Sequence, residues 1–361
     1  MIHRLTALVT ALSLMLLSAA PVSANGIGDL YVGSPAGIDE FYMSGESIVN
    51  QVSIETPAVG LAFSDDGMTL YASTGTSAVA KIDIETLTVA GTLRFDGQAT
   101  LLAAASDQRL VALLPADERV AIANLSDGHM DEINLPFTPD LIAAHREVET
   151  IAVGAAGSEV VLIVTEEGIA DEIELPGDAV AMAIDAEHEL LLVVTTAPNL
   201  LLAYAIDTRA EVDRESLPTA PTAVGTSDDG AIVATGATLH RFGGIGSETG
   251  VSGVSESWVA DGAVDELAAS ESGAVVFARH GDSVTAYTPD GLEIGQVSGE
   301  GIAVIAPIVG PVSVGPGAVD KGAGGDTLPA TASDVPTLTA AIAAALLIGL
   351  IAVVAARRAR A

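Results

Sequence analysis

The feature that most restricts how this chain can fold is a cycle of short strand signals completed within residues 64–93, SDDGMTLYASTGTSAVAKIDIETLTVAGTL, and echoed along most of the sequence. Ser64-Asp65-Asp66-Gly67 is a tight turn, since Asp side chains accept hydrogen bonds from nearby amides and Gly takes a positive φ. Residues 68–73 then read as a strand, residues 74–77 turn the chain, and residues 79–84 alternate around the β-branched anchors Val79 and Ile82. Asp83 to Thr86 leads into a third strand over 88–93. Three short antiparallel strands result, too few to bury a core of their own.

From Gly28 to Val309 the cycle recurs at a drifting period of about 40 residues, giving about seven units. The first holds Leu30, Tyr31 and Val32 with residues 48–54, and the third runs from Ser106-Asp107 through 110–114, 120–125 and 130–135. The fourth takes 150–154, 159–164 and 169–175, followed by 179–184. The fifth takes 190–195, 200–207 and 210–217, where Ala203 to Thr208 (AYAIDT) echoes Ala80 to Glu85 (AKIDIE). Ser227-Asp228-Asp229-Gly230 opens the sixth with the same four residues as the second, and Glu271-Ser272-Gly273 opens the seventh. Residues 240–254, rich in Gly and Ser, read as an inserted loop. One small sheet cannot cover both of its faces, so the units must stack around an axis and the ring must close. No strand is followed by a helical pattern, which excludes a parallel sheet. The expected fold is all-β, a β-propeller of about seven blades, with six or eight compatible with the same rhythm.

The segments DDGMTLYAS, AVAKIDIET and TVAGTL resemble the YVTN-type surface β-propellers, whose repeat joins a PDG turn to strands like LYVAN, VSVID and VVATI. The resemblance implies that architecture and display outside the cell; it does not specify a ligand.

The chain ends carry the same message. Residues 1–24 join Arg4 to an apolar run and the small residues Val22-Ser23-Ala24, a signal peptide with cleavage between Ala24 and Asn25. Beyond 28–309, residues 310–327 are a Gly/Pro-rich stalk. Leu328-Pro329-Ala330-Thr331-Ala332 follows, then an apolar run over 338–356, near the length a membrane-crossing helix needs, and the basic tail 357–361 that holds its end in the cytoplasm. This order resembles a cell-wall sorting signal. The resemblance implies a sortase thiol attacking the Thr331 carbonyl, cleaving Thr331 from Ala332 and passing the acyl group to an amine of a peptidoglycan precursor. Leu328, Pro329 and Thr331 match the LPXTG pattern, and Ala332 stands where the family has Gly. A plain C-terminal membrane anchor is the alternative, and either places the propeller outside the cytoplasm.

Charge narrows the partners. The 361 residues carry 48 acidic against 14 basic side chains, a net charge of −34, which excludes nucleic acid and recruits divalent cations only loosely. No cofactor is implied. With no cysteine there is no disulfide and no Cys-ligated zinc. Aromatic residues make up only 3%, so Val, Ile, Leu and Ala must fill the core.

Candidate chemistry is sparse. His3, His129, His145, His188, His240 and His280 form no HExxH or His-x-His pair, and convergence on the axis from different blades would be needed for a metal or acid–base site. Asp65-Asp66 and Asp228-Asp229 lack the alternating acidic spacing of a calcium loop and read as turn formers. Asn124-Leu125-Ser126 reads as a turn, and Trp258 as packed against a blade. No GxSxG elbow occurs. Two function classes follow: a surface module binding an extracellular protein or glycan, and a lactonase-like hydrolase with an axial site, which the same fold would support.

Removing both ends takes four of the 14 basic residues but only Asp334 from the acidic ones. The remainder repels itself, and salt screens that repulsion. The melting temperature should therefore rise between low and high ionic strength, and an unchanged value would contradict this account.

Overall fold

A computed structural model describes residues 30–44, 47–64, 66–227, 230–245, 253–270, 275–299 and 304–307, and of residues 43–44, 47–52, 227 and 304–307 it describes the backbone alone. The leader, stalk, sorting motif, apolar run and basic tail lie outside these residues. Among them the fold is all-β: seven four-stranded antiparallel sheets and one 3₁₀ turn at Pro115–Asp117.

Each sheet is a blade, and the blades form a closed ring. Six are continuous meanders, such as Gly60–Phe63, Thr69–Ser73, Ala78–Asp83 and Thr88–Arg94, ordered from the axis outward. The seventh joins the chain's two ends. Val304–Pro307 pairs with Leu30–Gly33, which is followed outward by Ile38–Ser44 and Ser47–Ile54. The seven inner strands contact one another in sequence around the axis, and Val304–Pro307 closes the circle against Gly60–Phe63.

The energetics of the ring follow from its second strands. Leu190–Thr196 begins LLLVV, an unbroken apolar run, because both faces are buried. Leu191 and Val193 pack toward the preceding blade while Leu190, Leu192 and Val194 pack toward the next. The same division holds at Arg109–Leu114, where Leu110, Ala112 and Leu114 face one neighbour and Val111 and Leu113 the other. Seven core clusters result, each drawn from two adjacent blades. Phe63 and Tyr31 meet edge to face at 5.3 Å in the cluster beside the closing blade.

A recurring device bolts each blade to the next. The residue that leaves the outer strand is Phe95, Leu135, Leu175, Leu217 or Ala260, and each is buried in the cluster shared with the following blade. Its N–H donates to the carbonyl just before the third strand of its own blade, as in Leu135 to Glu118 at 2.8 Å and Leu217 to Asn199 at 3.0 Å. In three blades the next residue is proline, Pro136, Pro176 or Pro218, which has no N–H to continue an edge.

The structure differs from the sequence reading at the axis. Every blade has a fourth, inner strand, such as Leu102–Ala105, Leu141–His145 and Glu266–Ala269, that the three-strand cycle did not include. Apart from the eight-residue Asp178–Asp185 they are only four or five residues long, several built largely from Ala and Gly where they crowd the axis. At Gly60 a Cβ would lie 2.2 Å from the Thr100 carbonyl oxygen of the next blade. Residues 179–184, read as the tail of the fourth unit, belong to Asp178–Asp185, the inner strand of the fifth. Ile38–Ser44 was hidden by Glu40, fully buried in mid-strand and accepting the Tyr31 hydroxyl at 2.6 Å. The stretch read as an inserted loop begins inside a strand, Thr238–Gly243, and ends inside another, Gly253–Val259.

Leu217→Ala removes one bolt and leaves a cavity, so it should cost about 3 kcal/mol in urea unfolding. Val212→Ala, on the exposed face of the same outer strand, should cost well under 1 kcal/mol.

Candidate functional site

All seven inner strands run in one direction, which gives the axis two distinct ends. Residues at or near the starts of six of them surround an open cavity of about 390 Å³. Five blades contribute Leu61, Leu102, Ile142, Met182 and Leu267 to its lining, of which Ile142 and Met182 are half-buried and the leucines are packed into the cores between blades. Its polar groups stand at the strand starts: Asp140, Thr222, Asp265, Glu266 and, from the second strand of its blade, Arg279.

Local structure explains why these side chains stand where they do. Asp140 and Asp265 hold equivalent places, just before an inner strand, and each backbone N–H donates to the last residues of the neighbouring strand, Gly154 and Arg279 respectively. Each carboxylate then caps the turn that follows that strand. Asp140 Oδ1 accepts the Ala156 N–H at 2.6 Å, and Asp265 Oδ2 accepts the Gly281 N–H at 2.9 Å. Arg279 is the register partner of Glu266 and donates its Nε to Glu266 Oε2 at 2.9 Å, with Nη1 3.4 Å from Asp265 Oδ2. Thr222 Oγ1 reaches the Ala234 carbonyl at 3.5 Å. The mouth is thus a ring of turn clamps with an acidic excess.

The opposite end holds a separate cluster. Asp185, 4% exposed at the end of its inner strand, accepts the His188 N–H on Oδ1 at 3.1 Å and faces His188 Nδ1 through Oδ2 at 2.9 Å. His145 closes the adjacent inner strand, and its Nδ1 accepts the Glu147 N–H at 3.3 Å. Burial pulls the His145 pKa below its ordinary value, against the upward pull of Glu147 and Asp185.

The remaining residues singled out from sequence are dispersed. His129 lies in an outer turn, 3.2 Å from Asp131. His240 is 7% exposed between Thr235 Oγ1 and Ser257 Oγ, both at 2.9 Å, and burial lowers its pKa. His280 contacts Thr285 Oγ1 at 2.8 Å. These histidines occupy different positions in their blades, and among the described residues no group of three His, Asp or Glu is placed to hold a metal. Asp66 Oδ1 accepts Ser64 Oγ–H at 2.6 Å and the Met68 N–H at 2.9 Å, bonds that lower its pKa and make it a turn former. Asn124 likewise accepts the Ser126 N–H and hydroxyl. Trp258 packs on Tyr287 of the next blade at 6.1 Å, so close to Gly291 that a Cβ there would fall 2.7 Å from the indole. His3, Asp65, Asp228, Asp229, Ala24, Asn25 and Leu328 to Ala332 lie outside the described residues.

Asp140, Asp265, Glu266 and Arg279 were not singled out from sequence. Their signal was positional: an Asp immediately ahead of a short, small-residue apolar run, at the same point of two different repeats.

No family model matches the chain, and no curated protein does. Solved structures do. A functionally unknown protein from Desulfotomaculum acetoxidans superposes with a TM-score of 0.67 at 15% identity, covering 78% of this chain and 99% of its own. Hydrazine synthase of Kuenenia stuttgartiensis aligns with a TM-score of 0.53 at 15% identity, over 64% of this chain and 77% of that one. At such identity the likeness is one of fold.

Burial holds the His240 pKa below its ordinary value in the folded ring, whereas in the unfolded chain it takes up a proton near 6.5. The unfolded state therefore binds more protons as pH falls below that value, and stability drops. His145 acts in the same sense. The decline in denaturant midpoint between pH 7.5 and 5.5 should be shallower in His240→Gln than in the parent; identical slopes would show that His240 does not contribute.

Proposed function

We propose that this chain is a YVTN-type β-propeller displayed on the cell surface as a binding module, receiving its ligand at the acidic mouth of the axis without turning it over. The observation that carries the reading is the chemistry of the axial cavity. Half-buried Ile142 and Met182 line it together with polar groups, Asp265 and Glu266 are engaged by Arg279 and a turn amide, and Asp140 gives one oxygen to the Ala156 amide. A hydrolase would use titratable groups gathered on a bound substrate; here His145 and His188 stand at the far end of the inner strands and His240 inside a blade. A shaped pocket with apolar side chains beside a few oriented polar groups suits binding.

Display is read from the chain ends. The leader ending at Ala24, the stalk, the pentapeptide Leu328 to Ala332, the apolar run and the basic tail are in the order of a sorting signal. A sortase and a peptidoglycan precursor are then its processing partners, and an extracellular protein or glycan its physiological one.

Muramidase digestion of whole cells followed by mass measurement of the C-terminal peptide tests display. A chain ending at Thr331 and carrying a peptidoglycan fragment is the expected result; persistence of peptides beyond Ala332, released only by detergent, would replace wall linkage with a membrane anchor. Incubation with lactone and ester panels tests the binding role, and enzymatic turnover abolished by substitutions at the axis would overturn it.

A further inference from the structure

The axial mouth has a charge balance that selects among ligands. Three carboxylates, Asp140, Asp265 and Glu266, stand there with one guanidinium, Arg279. Arg279 lies against Asp265 and Glu266 of its own blade, so its charge is neutralised locally. Asp140 stands three blades away, across the axis, exposed to solvent and with Oδ1 on the Ala156 amide. Behind this rim the half-buried Ile142 and Met182 line the cavity, Leu61, Leu102 and Leu267 being buried in the cores between blades, and no ionisable group stands there.

The two zones make different demands. The wall favours hydrocarbon removed from water. The rim attracts a cation and repels a carboxylate or phosphate. A hard divalent ion needs six or more oxygen ligands, whereas the rim oxygens are distributed on opposite sides of the opening and partly engaged. An ammonium has three donors and tolerates such an arrangement.

We infer that the axial cavity takes a primary ammonium group on a short aliphatic stem, the stem against Ile142 and Met182 and the ammonium at the rim with Asp140. A free alkylamine and a lysine side chain of a partner share this chemistry. The inference rests on the binding role proposed above and specifies its ligand class.

Calorimetric titration of the full secreted chain tests it with hexylammonium, hexanol, hexanoate, calcium chloride and N-acetyl-lysine methylamide. Hexylammonium should bind at least about tenfold more tightly than hexanol, with hexanoate weakest, and the preference should shrink at high salt. Binding of the lysine derivative in addition identifies a partner side chain as the source; binding of hexylammonium alone identifies a free amine. Asp140→Asn keeps an oxygen for the Ala156 amide and should reduce the ammonium preference severalfold while leaving hexanol binding unchanged. Met182→Trp fills the cavity and should abolish binding of both. Equal affinity for hexylammonium and hexanol in the parent chain, or tighter binding of calcium than of hexylammonium, overturns the inference whatever the variants do. That result leaves a turnover-free, wall-linked propeller intact, whereas turnover of esters or lactones removes the underlying reading itself.

Discussion

Every other property of this molecule depends on the two-sided burial of its sheets. A four-stranded blade with apolar residues on both faces has no stable existence alone, and each face is covered only by a neighbouring blade. In an open array the terminal blades would each leave a face in water. Here the circle has no terminal blade: Val304–Pro307 lies on Leu30–Gly33, and the cluster of Leu30, Val32, Phe277 and Val284 is as dry as the other six. Aliphatic packing of this regularity also explains how so few aromatic residues suffice, since two flat faces of alternating Leu, Val and Ala interdigitate without large fillers.

The rim solves a second problem. Seven outer strands expose seven hydrogen-bonding edges, which invite association. In six blades the register between the third and outer strands slips by a residue, as between Ala203 and Tyr204 against Asp213 and Glu211. Such bulges twist the edge away from a flat partner. Acidic side chains complete the protection, with Asp171, Glu172 and Glu174 along one outer strand and Glu211, Asp213 and Glu215 along the next. Part of the negative charge thus lies along edges that must not pair.

Turn chemistry and strand rhythm made the middle and outer strands legible from residues such as Ser64 to Gly67 and Val79 to Ile84, because both signals are local. Apart from residues 179–184, the inner strands were not legible, since Gly60–Phe63 and Leu102–Ala105 are only four residues long and their composition answers to crowding at the axis, a tertiary fact. Ile38–Ser44 was missed for a similar reason: the partner that satisfies its buried Glu40, Tyr31, lies on a neighbouring strand. The rim of the cavity was hidden too. Asp140 and Asp265 resemble ordinary loop acids until the ring brings their equivalent positions to one opening. The repeated Leu135-Pro136, Leu175-Pro176 and Leu217-Pro218 steps were visible in the letters, and their role in joining successive blades follows from where the leucine is buried.

The closing strand also determines how the molecule would carry load. Val304–Pro307 is the innermost strand of its blade and runs in the same sense as the other six, so the chain leaves the described ring beside the axis, at the end opposite the cavity mouth. A pull on the C-terminal side then acts near the centre of the ring, without the lever arm that an exit at the rim would create. It draws along Leu30–Gly33, where four residue pairs share the force together instead of parting one after another. A load along this strand is then met by the same hydrogen bonds that close the ring.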